Sequence, residues 1–382
     1  MKITSIELLR FSRSITVHAG PVDWLWVVLH TDQGVTGLGE TYPCADVESA
    51  VIERSLAPVL LGSDPRRIER LWADMFLAVS YHGWAGAEMR AISAIDIALH
   101  DLAAKSAGIP VYQLLGGASQ TSIPVYNTCY DHIDFLTEPV RLARELADSG
   151  IHAMKIWPFD PVAKRTGGQS ISAEEIRQGL EPLRLIRQEF GDSMQVAMEF
   201  HGYWNLHCAR LIVRGLEPLD PMWVEEILPQ DNLSAYRELA AYTRLPLTIS
   251  ERLMTRFAFR ELLELRAASV IMPDLCWCGG FTEARKIAAL ADTYYLPVAP
   301  HNCGGPVLHF ASAHLAASLT NLLILETVRR HYADEYRGLL TASLVPQKGR
   351  LSLPAGRGLG VELDPSVRSH PRVAVKKIER SS

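Results

Sequence analysis

The stretch Gln195-Val196-Ala197-Met198-Glu199-Phe200-His201 reads as a buried strand ending in two polar groups. Side chains alternate along a strand with period two, so an acid and a histidine two positions apart are expected on one face, in one site. Five later apolar runs stop in the same way: Met222-Trp223-Val224-Glu225, Leu247-Thr248-Ile249-Ser250-Glu251, Val270-Ile271-Met272-Pro273-Asp274, Pro297-Val298-Ala299-Pro300-His301 and Leu323-Ile324-Leu325-Glu326. Their last residues follow one another at intervals of 23 to 27, one polar group per strand-and-helix unit. Near-continuous apolar strands alternating with helical segments argue for a parallel sheet, and eight of them for a closed (β/α)8 barrel. The eight are expected near 123–127, 152–157, 195–201, 222–227, 247–251, 269–274, 296–301 and 322–326.

The chain ahead of the barrel reads as α+β. Trp24–Leu29 and Val35–Glu40 flank Thr31-Asp32-Gln33-Gly34, a hairpin loop whose glycine suits a positive φ. Helices are expected near Asp46, from Asp64-Pro65, and over Ala87 to Ser106 ahead of Gly108. In the last of these, Ile92, Ile95, Leu99 and Leu102 form an apolar stripe that should dock on a large core. The glycine-punctuated segments Ser12 to Val22 and Tyr81 to Gly86 have the composition of lids, or of ordinary surface loops. Three parts are therefore expected: an α+β capping domain with lid loops over 1–122, the barrel over 123–344, and a segment over 345–382 that returns to the first domain. The basic ending, Lys376-Lys377 to Arg380, reads as a solvated tail.

At 382 residues the length suggests two domains, and the net charge of −5 gives no basic footprint for nucleic acid. The start, Met1 to Glu7, alternates like a strand and lacks the apolar core of a signal peptide. No run approaches the ~20 apolar residues of a membrane span, so neither a nucleic-acid nor a membrane partner is expected and the cytoplasm is the expected compartment. The six cysteines show no framework spacing and are expected as free thiols. Cys276-Trp277-Cys278 with His301-Asn302-Cys303 could be read as a zinc site, but the spacing favours small buried residues near strand ends.

Barrel active sites lie at the C-terminal ends of the strands, where these polar residues fall. Glu199, Glu225 and Glu251 end three consecutive strands, and three facing carboxylates repel unless a cation neutralises them. An all-oxygen donor set selects Mg2+ over zinc. A single acid of this kind could instead cap a helix or pair with Arg252. Asp274 and His301 end neighbouring strands, and a carboxylate beside an imidazole fixes its tautomer and prepares it as a general base. Lys155, in Ala153-Met154-Lys155-Ile156-Trp157, is expected to approach from the opposite side, where a nearby metal and partial burial can lower its pKa toward that of a base, unless it is simply an exposed lysine near a strand end.

With these residues the chain resembles the enolase superfamily, in its mandelate racemase and muconate lactonizing subgroup, over nearly its full length. Ala94 to Leu102 and Pro110 to Gly117 resemble that family's passage into the barrel, and Cys278 to Ala284 its turn after the sixth strand. The resemblance implies a modified (β/α)7β TIM-type barrel with an α+β capping domain, an essential Mg2+, symmetric homo-oligomers, and removal of a proton α to a carboxylate to give an enediolate. It implies Glu199, Glu225 and Glu251 as metal ligands, His301 with Asp274 as the basic dyad, and Lys155 as the second lysine of a Lys-x-Lys motif. Glu326 resembles the eighth-strand acid that hydrogen-bonds the enediolate. The chain departs from the family in Ala153, where the first lysine of that motif would stand, in Glu199, where many members have Asp, and in Ile227, where Pro is usual.

His201 separates reactions. Its spacing resembles the acid-sugar dehydratases of the galactonate type, in which a third-strand histidine protonates the departing 3-hydroxyl; otherwise it orients the metal site or bonds a neighbouring loop. The first expectation is therefore a Mg2+-dependent hydro-lyase acting on a small carboxylate, a sugar acid. The alternative is a racemase or epimerase with Lys155 and His301 as bases on opposite faces, and the last an inactive metal-binding scaffold. His82, Trp84 and Trp157 are expected to contact substrate.

Overall fold

The computed structural model describes residues 1–13, 16–17 and 20–380. The expected lid between Ser12 and Val22 therefore falls partly outside the described residues. An antiparallel sheet is formed by strands Ile3–Phe11, Trp24–Thr31, Thr36–Thr41 and Val373–Glu379, with Ile3–Phe11 between the last strand and Trp24–Thr31. The hairpin turns at Gly34 with φ 73°, a conformation open to glycine at no steric cost. The helix Ala87–Ala107 lies on this sheet, and its contact explains two further glycines. A Cβ at Gly37 would meet the Ala98 carbonyl oxygen at 2.1 Å, and one at Gly39 the Ala94 oxygen at 2.0 Å. The helix packs against bare backbone at both positions.

Two local expectations shift. The second helix is Ile68–Ser80 and does not begin at Asp64-Pro65, because the Asp64 carboxylate accepts from the Arg66 backbone N–H at 3.1 Å and binds its guanidinium, closing a turn. The basic ending is a strand and not a tail. Val373–Glu379 pairs antiparallel with Ser5–Phe11, and Lys376 Nζ reaches Glu53 at 2.6 Å.

The second layer is the barrel. Parallel strands Ile123–Thr128, Ala153–Ile156, Gln195–Glu199, Val224–Glu225, Leu247–Ile249 and Val270–Ile271 follow one another in sheet order. Val298 bridges Ile271 and Leu322, and Leu325–Thr327 pairs with Val125–Asn127, which closes the ring. This is the architecture the resemblance implies, a capping domain on a TIM-type barrel. The seventh strand is reduced to isolated bridges, its ends fixed by Pro297 and Pro300, which have no N–H to give a ladder. Arg350–Leu351 pairs with Ile123–Pro124 beside the first barrel strand.

Small and large side chains alternate inside the barrel. Ala153, Ala197 and Ala299 leave room for Trp223 and Tyr126, whose rings meet edge-on at 5.3 Å. No helix among the described residues is long and apolar enough to cross a membrane.

Candidate active site

The C-terminal ends of the barrel strands open into a cavity of about 430 Å³, closed from the other side by the capping domain. Lys155, Trp157, Glu199, His201, Glu251 and His301 line it from the barrel, and Arg13, Val22, Tyr42 and Cys44 from the capping domain. Carboxylate oxygens of Glu199, Glu225 and Glu251 lie within 4.8 Å of one another, and all three residues are buried. Glu225 is held well above the usual carboxylate range by burial and the Glu199 charge, although Lys155 opposes both. Negative charge is thus in excess here even with the ammonium present, so the donor set fits a hard divalent cation. A second set, His301, Cys303 and Glu326, also clusters, but burial pushes the Cys303 thiol up to about 12. Cys276 and Cys278 belong to neither set, and all six cysteines are free thiols.

Lys155 is buried among carboxylates. Its Nζ lies 2.5 Å from Glu225, 2.9 Å from Glu326 and 3.3 Å from Glu199. Burial pulls its pKa down, but the charges of Glu225, Glu326 and Glu199 outweigh burial and hold it well above the ordinary lysine value. Three carboxylates around one ammonium keep the proton on it.

Asp274 and His301 meet as a bridge pair, and Asp274 Oδ2 lies 2.7 Å from His301 Nδ1. The Tyr42 hydroxyl donates to the same Oδ2 at 2.7 Å, and the Cys276 backbone N–H to Oδ1 at 2.7 Å. The carboxylate is fixed from three directions, so the ring is fixed too. His301 Nε2 then faces Glu251 at 3.2 Å and Glu326 at 3.6 Å. Burial lowers the His301 pKa, and Glu251 and Glu326 together with the Asp274 bond raise it well above the usual value. Glu326 is held by Thr128 and by the Asn302 N–H at 2.8 Å, and Lys155 and His301 bring its carboxyl down to about 2 against the effect of burial.

His201 reaches the cavity by another route than strand alternation. The third strand ends at Glu199, and His201 follows in a turn with φ 52°. Its backbone N–H donates to Glu199 Oε1 at 2.7 Å, and its carbonyl accepts from Arg252 at 2.7 Å. Its Nδ1 lies 3.0 Å from Asp160 Oδ1, a contact that no spacing in the sequence announces. Burial draws the His201 pKa down, and Glu199 and Asp160 raise it above the ordinary value.

Of the three residues expected at the substrate, Trp157 lines the cavity and His82 and Trp84 do not. Those two sit on an exposed turn after helix Ile68–Ser80, where Trp84 packs near Phe76 at 6.2 Å. Arg13, Tyr42, Cys44 and Asp160 were not among the expected residues. Tyr42 follows the expected strand Val35–Glu40 by two positions, the one signal that could have pointed to it.

Comparison with known proteins agrees with this geometry. The model of the mandelate racemase / muconate lactonizing enzyme N-terminal domain matches residues 14–116, and that of the enolase C-terminal domain-like family matches residues 138–367. The chain belongs to the mandelate racemase and muconate lactonizing enzyme family. Within it, a D-xylonate dehydratase of Haloferax volcanii is 32% identical, covering 91% of this chain and 85% of the relative. A D-galactonate dehydratase of Ralstonia pickettii is 32% identical, with 92% and 91% covered. An enolase of the mandelate racemase subgroup from Agrobacterium tumefaciens superposes with TM-score 0.91 at 42% identity, over 99% of both chains.

Proposed function

We propose that the protein is a Mg2+-dependent acid-sugar dehydratase that removes the proton α to a carboxylate and then eliminates water across the neighbouring carbon. The observation that carries this is one cavity lined by both His301, with Asp274 on its Nδ1, and His201, beside the Glu199, Glu225 and Glu251 donor set. Relatives named D-xylonate and D-galactonate dehydratases support the same reading. Glu199, Glu225 and Glu251 would hold the Mg2+, which when bound offsets negative charge developing on the substrate carboxylate.

The chain's own groups supply the proton transfers. His301 Nε2 takes the α-proton while Asp274 holds the ring in the tautomer that leaves this nitrogen basic. Lys155 would do so for the opposite configuration, with Mg2+ bound to Glu199 and Glu225 taking up the carboxylate charge that otherwise holds its proton. Glu326, fixed by Thr128 and Asn302, bonds the protonated side of the developing enediol. The electron pair left at the α-carbon forms the double bond as the C3–O bond breaks, and His201 gives its proton to the departing hydroxyl, so that water leaves. The enol product then becomes a 2-keto-3-deoxy acid. Placement in the cytoplasm as a homo-oligomer completes the reading.

A racemase reading draws on one observation, that Lys155 and His301 both converge on Glu326, at 2.9 and 3.6 Å. Incubation with a library of sugar acids separates the two. The expected result is a keto-deoxy acid, and in deuterium oxide His201→Asn should exchange the α-proton while forming little product, a loss of about 10²–10⁴ in rate. Inversion of the α-carbon without any keto-deoxy acid would replace the dehydratase with the racemase.

A further inference from the structure

His201 is positioned by more contacts than its place in the chain requires. Backbone bonds to Glu199 and Arg252 fix the turn, and the Trp157 ring stands edge-on to the imidazole with centroids 5.9 Å apart. Its chemistry depends further on the orientation of the ring and on which nitrogen carries a proton. Asp160 addresses both. It is 4% exposed at the start of helix Asp160–Thr166, with Oδ1 3.0 Å from His201 Nδ1. Its other oxygen lies 3.3 Å from Lys164, whose side chain is 56% exposed, so that pairing is mostly with a solvated charge. The buried end of the carboxylate is committed to the histidine.

We propose that Asp160 is a positioning residue for the elimination step: it keeps the proton on His201 Nδ1 and so presents Nε2–H to the departing hydroxyl. This rests on the dehydratase reading. The chemistry follows from imidazole itself. A carboxylate accepts from Nδ1–H in the imidazolium and in one of the two neutral tautomers, so the proton given up must be the one on Nε2. After C–O cleavage that proton and the bonding pair leave as water, and His201 remains neutral with Nδ1–H still donated to Asp160. The arrangement repeats that of Asp274 on His301 Nδ1, at 2.7 Å. His301 and His201 thus each carry a carboxylate at Nδ1, one pair for each proton transfer. Asp160 is reached from a different strand's loop than His201, which is why neither the spacing nor the strand ends reveal the second pair.

Three measurements test this. Nitrogen-15 NMR of the wild-type protein, with the His201 resonances identified by their loss in His201→Asn, should find Nδ1 protonated. An unprotonated Nδ1 overturns the proposal without reference to any substrate. Asp160→Asn, assayed in deuterium oxide on a substrate of the wild-type protein, should form product at least tenfold more slowly with KM changed less than twofold, while α-deuterium incorporation per product formed rises. Asp160→Glu should recover part of the loss. A wild-type ratio of exchange to product in Asp160→Asn overturns the proposal, because a residue that only supports the fold would lower both steps together. If no sugar acid yields a keto-deoxy product, the dehydratase reading fails, and the NMR result still decides the pairing.

Discussion

Each acid at the barrel mouth has a different environment, and that difference sets its role. Glu225 is raised well above the usual range by burial beside Glu199, whereas Glu326 falls to about 2 between Lys155 and His301. The first excess favours a cation, and Glu225→Gln should weaken Mg2+ binding tenfold or more in titration calorimetry, about 1.4 kcal/mol. Unchanged affinity in this and the corresponding variants of Glu199 and Glu251 would remove the metal assignment. At the proposed base, His301→Asn should abolish turnover, whereas Asp274→Asn should leave a residue of activity, since the imidazole remains and Tyr42 still meets the side chain that replaces its partner. Turnover of a confirmed substrate by His301→Asn at the wild-type rate would place the base elsewhere. These residues were legible because each closes an apolar run of the sequence. Asp160 was not, because it opens a helix in a different unit and meets His201 only across the loops.

At the scale of elements, one side chain joins the capping sheet to a barrel helix. Glu40, on strand Thr36–Thr41, is fully buried and accepts from the N–H groups of Gly305 at 2.7 Å, Val307 at 3.0 Å and Leu308 at 3.3 Å, and from Trp26 Nε1 at 2.9 Å. The three backbone donors are the orphan groups at the start of helix Pro306–Ser318, so a residue of one layer caps a helix of the other. Burial pushes its carboxyl up to about 7, against the pull of these donors. A carboxyl raised from 4.5 holds its proton in the folded chain where the unfolded chain has released it. Its contribution is therefore fully present below pH 4.5 and is lost as the pH rises through about 7, a change of about 3 kcal/mol. Glu40→Gln does not titrate. Urea unfolding should show the stability gap between wild type and this variant narrowing by about 2–3 kcal/mol from pH 5 to pH 8. A constant gap over that range would mean that the four donors keep the carboxylate ionised throughout.

At the scale of the molecule, the active site is a joint product of both ends of the chain. Strand Val373–Glu379 pairs along Ile3–Phe11, and just beyond that pairing the Arg372 carbonyl accepts from the Ser12 N–H at 2.9 Å. The next residue is Arg13, which lines the cavity, bonds Glu335 at 2.5 Å and lies over Trp24 at 4.4 Å. The proposed metal donors, Glu199, Glu225 and Glu251, all belong to the barrel. A chain ended after His370 should therefore lose the Ser12 anchor, raise the substrate KM severalfold and leave Mg2+ affinity unchanged in calorimetry. An equal loss in both would show that the capping sheet supports the barrel as a whole.

The sequence by itself determined the barrel and its polar mouth, because a strand buried on both faces must be apolar and the first polar residue after it marks where the strand meets the cavity. Glu199, Glu225, Glu251, Asp274, His301 and Glu326 all carry that local mark. Tertiary structure alone decided how they act on one another. Lys155 carries a lysine's ordinary mark in the sequence, and only the fold brings Glu225, Glu326 and Glu199 to it from three other strands, where their charges outweigh burial and raise its pKa. His82 and Trp84 had the composition of a substrate wall but do not line the cavity, whereas Arg13 and Tyr42 do. Pairings of this kind depend on distances between segments far apart in the chain, and electrostatic and hydrogen-bond energies follow those distances rather than the spacing of residues along it.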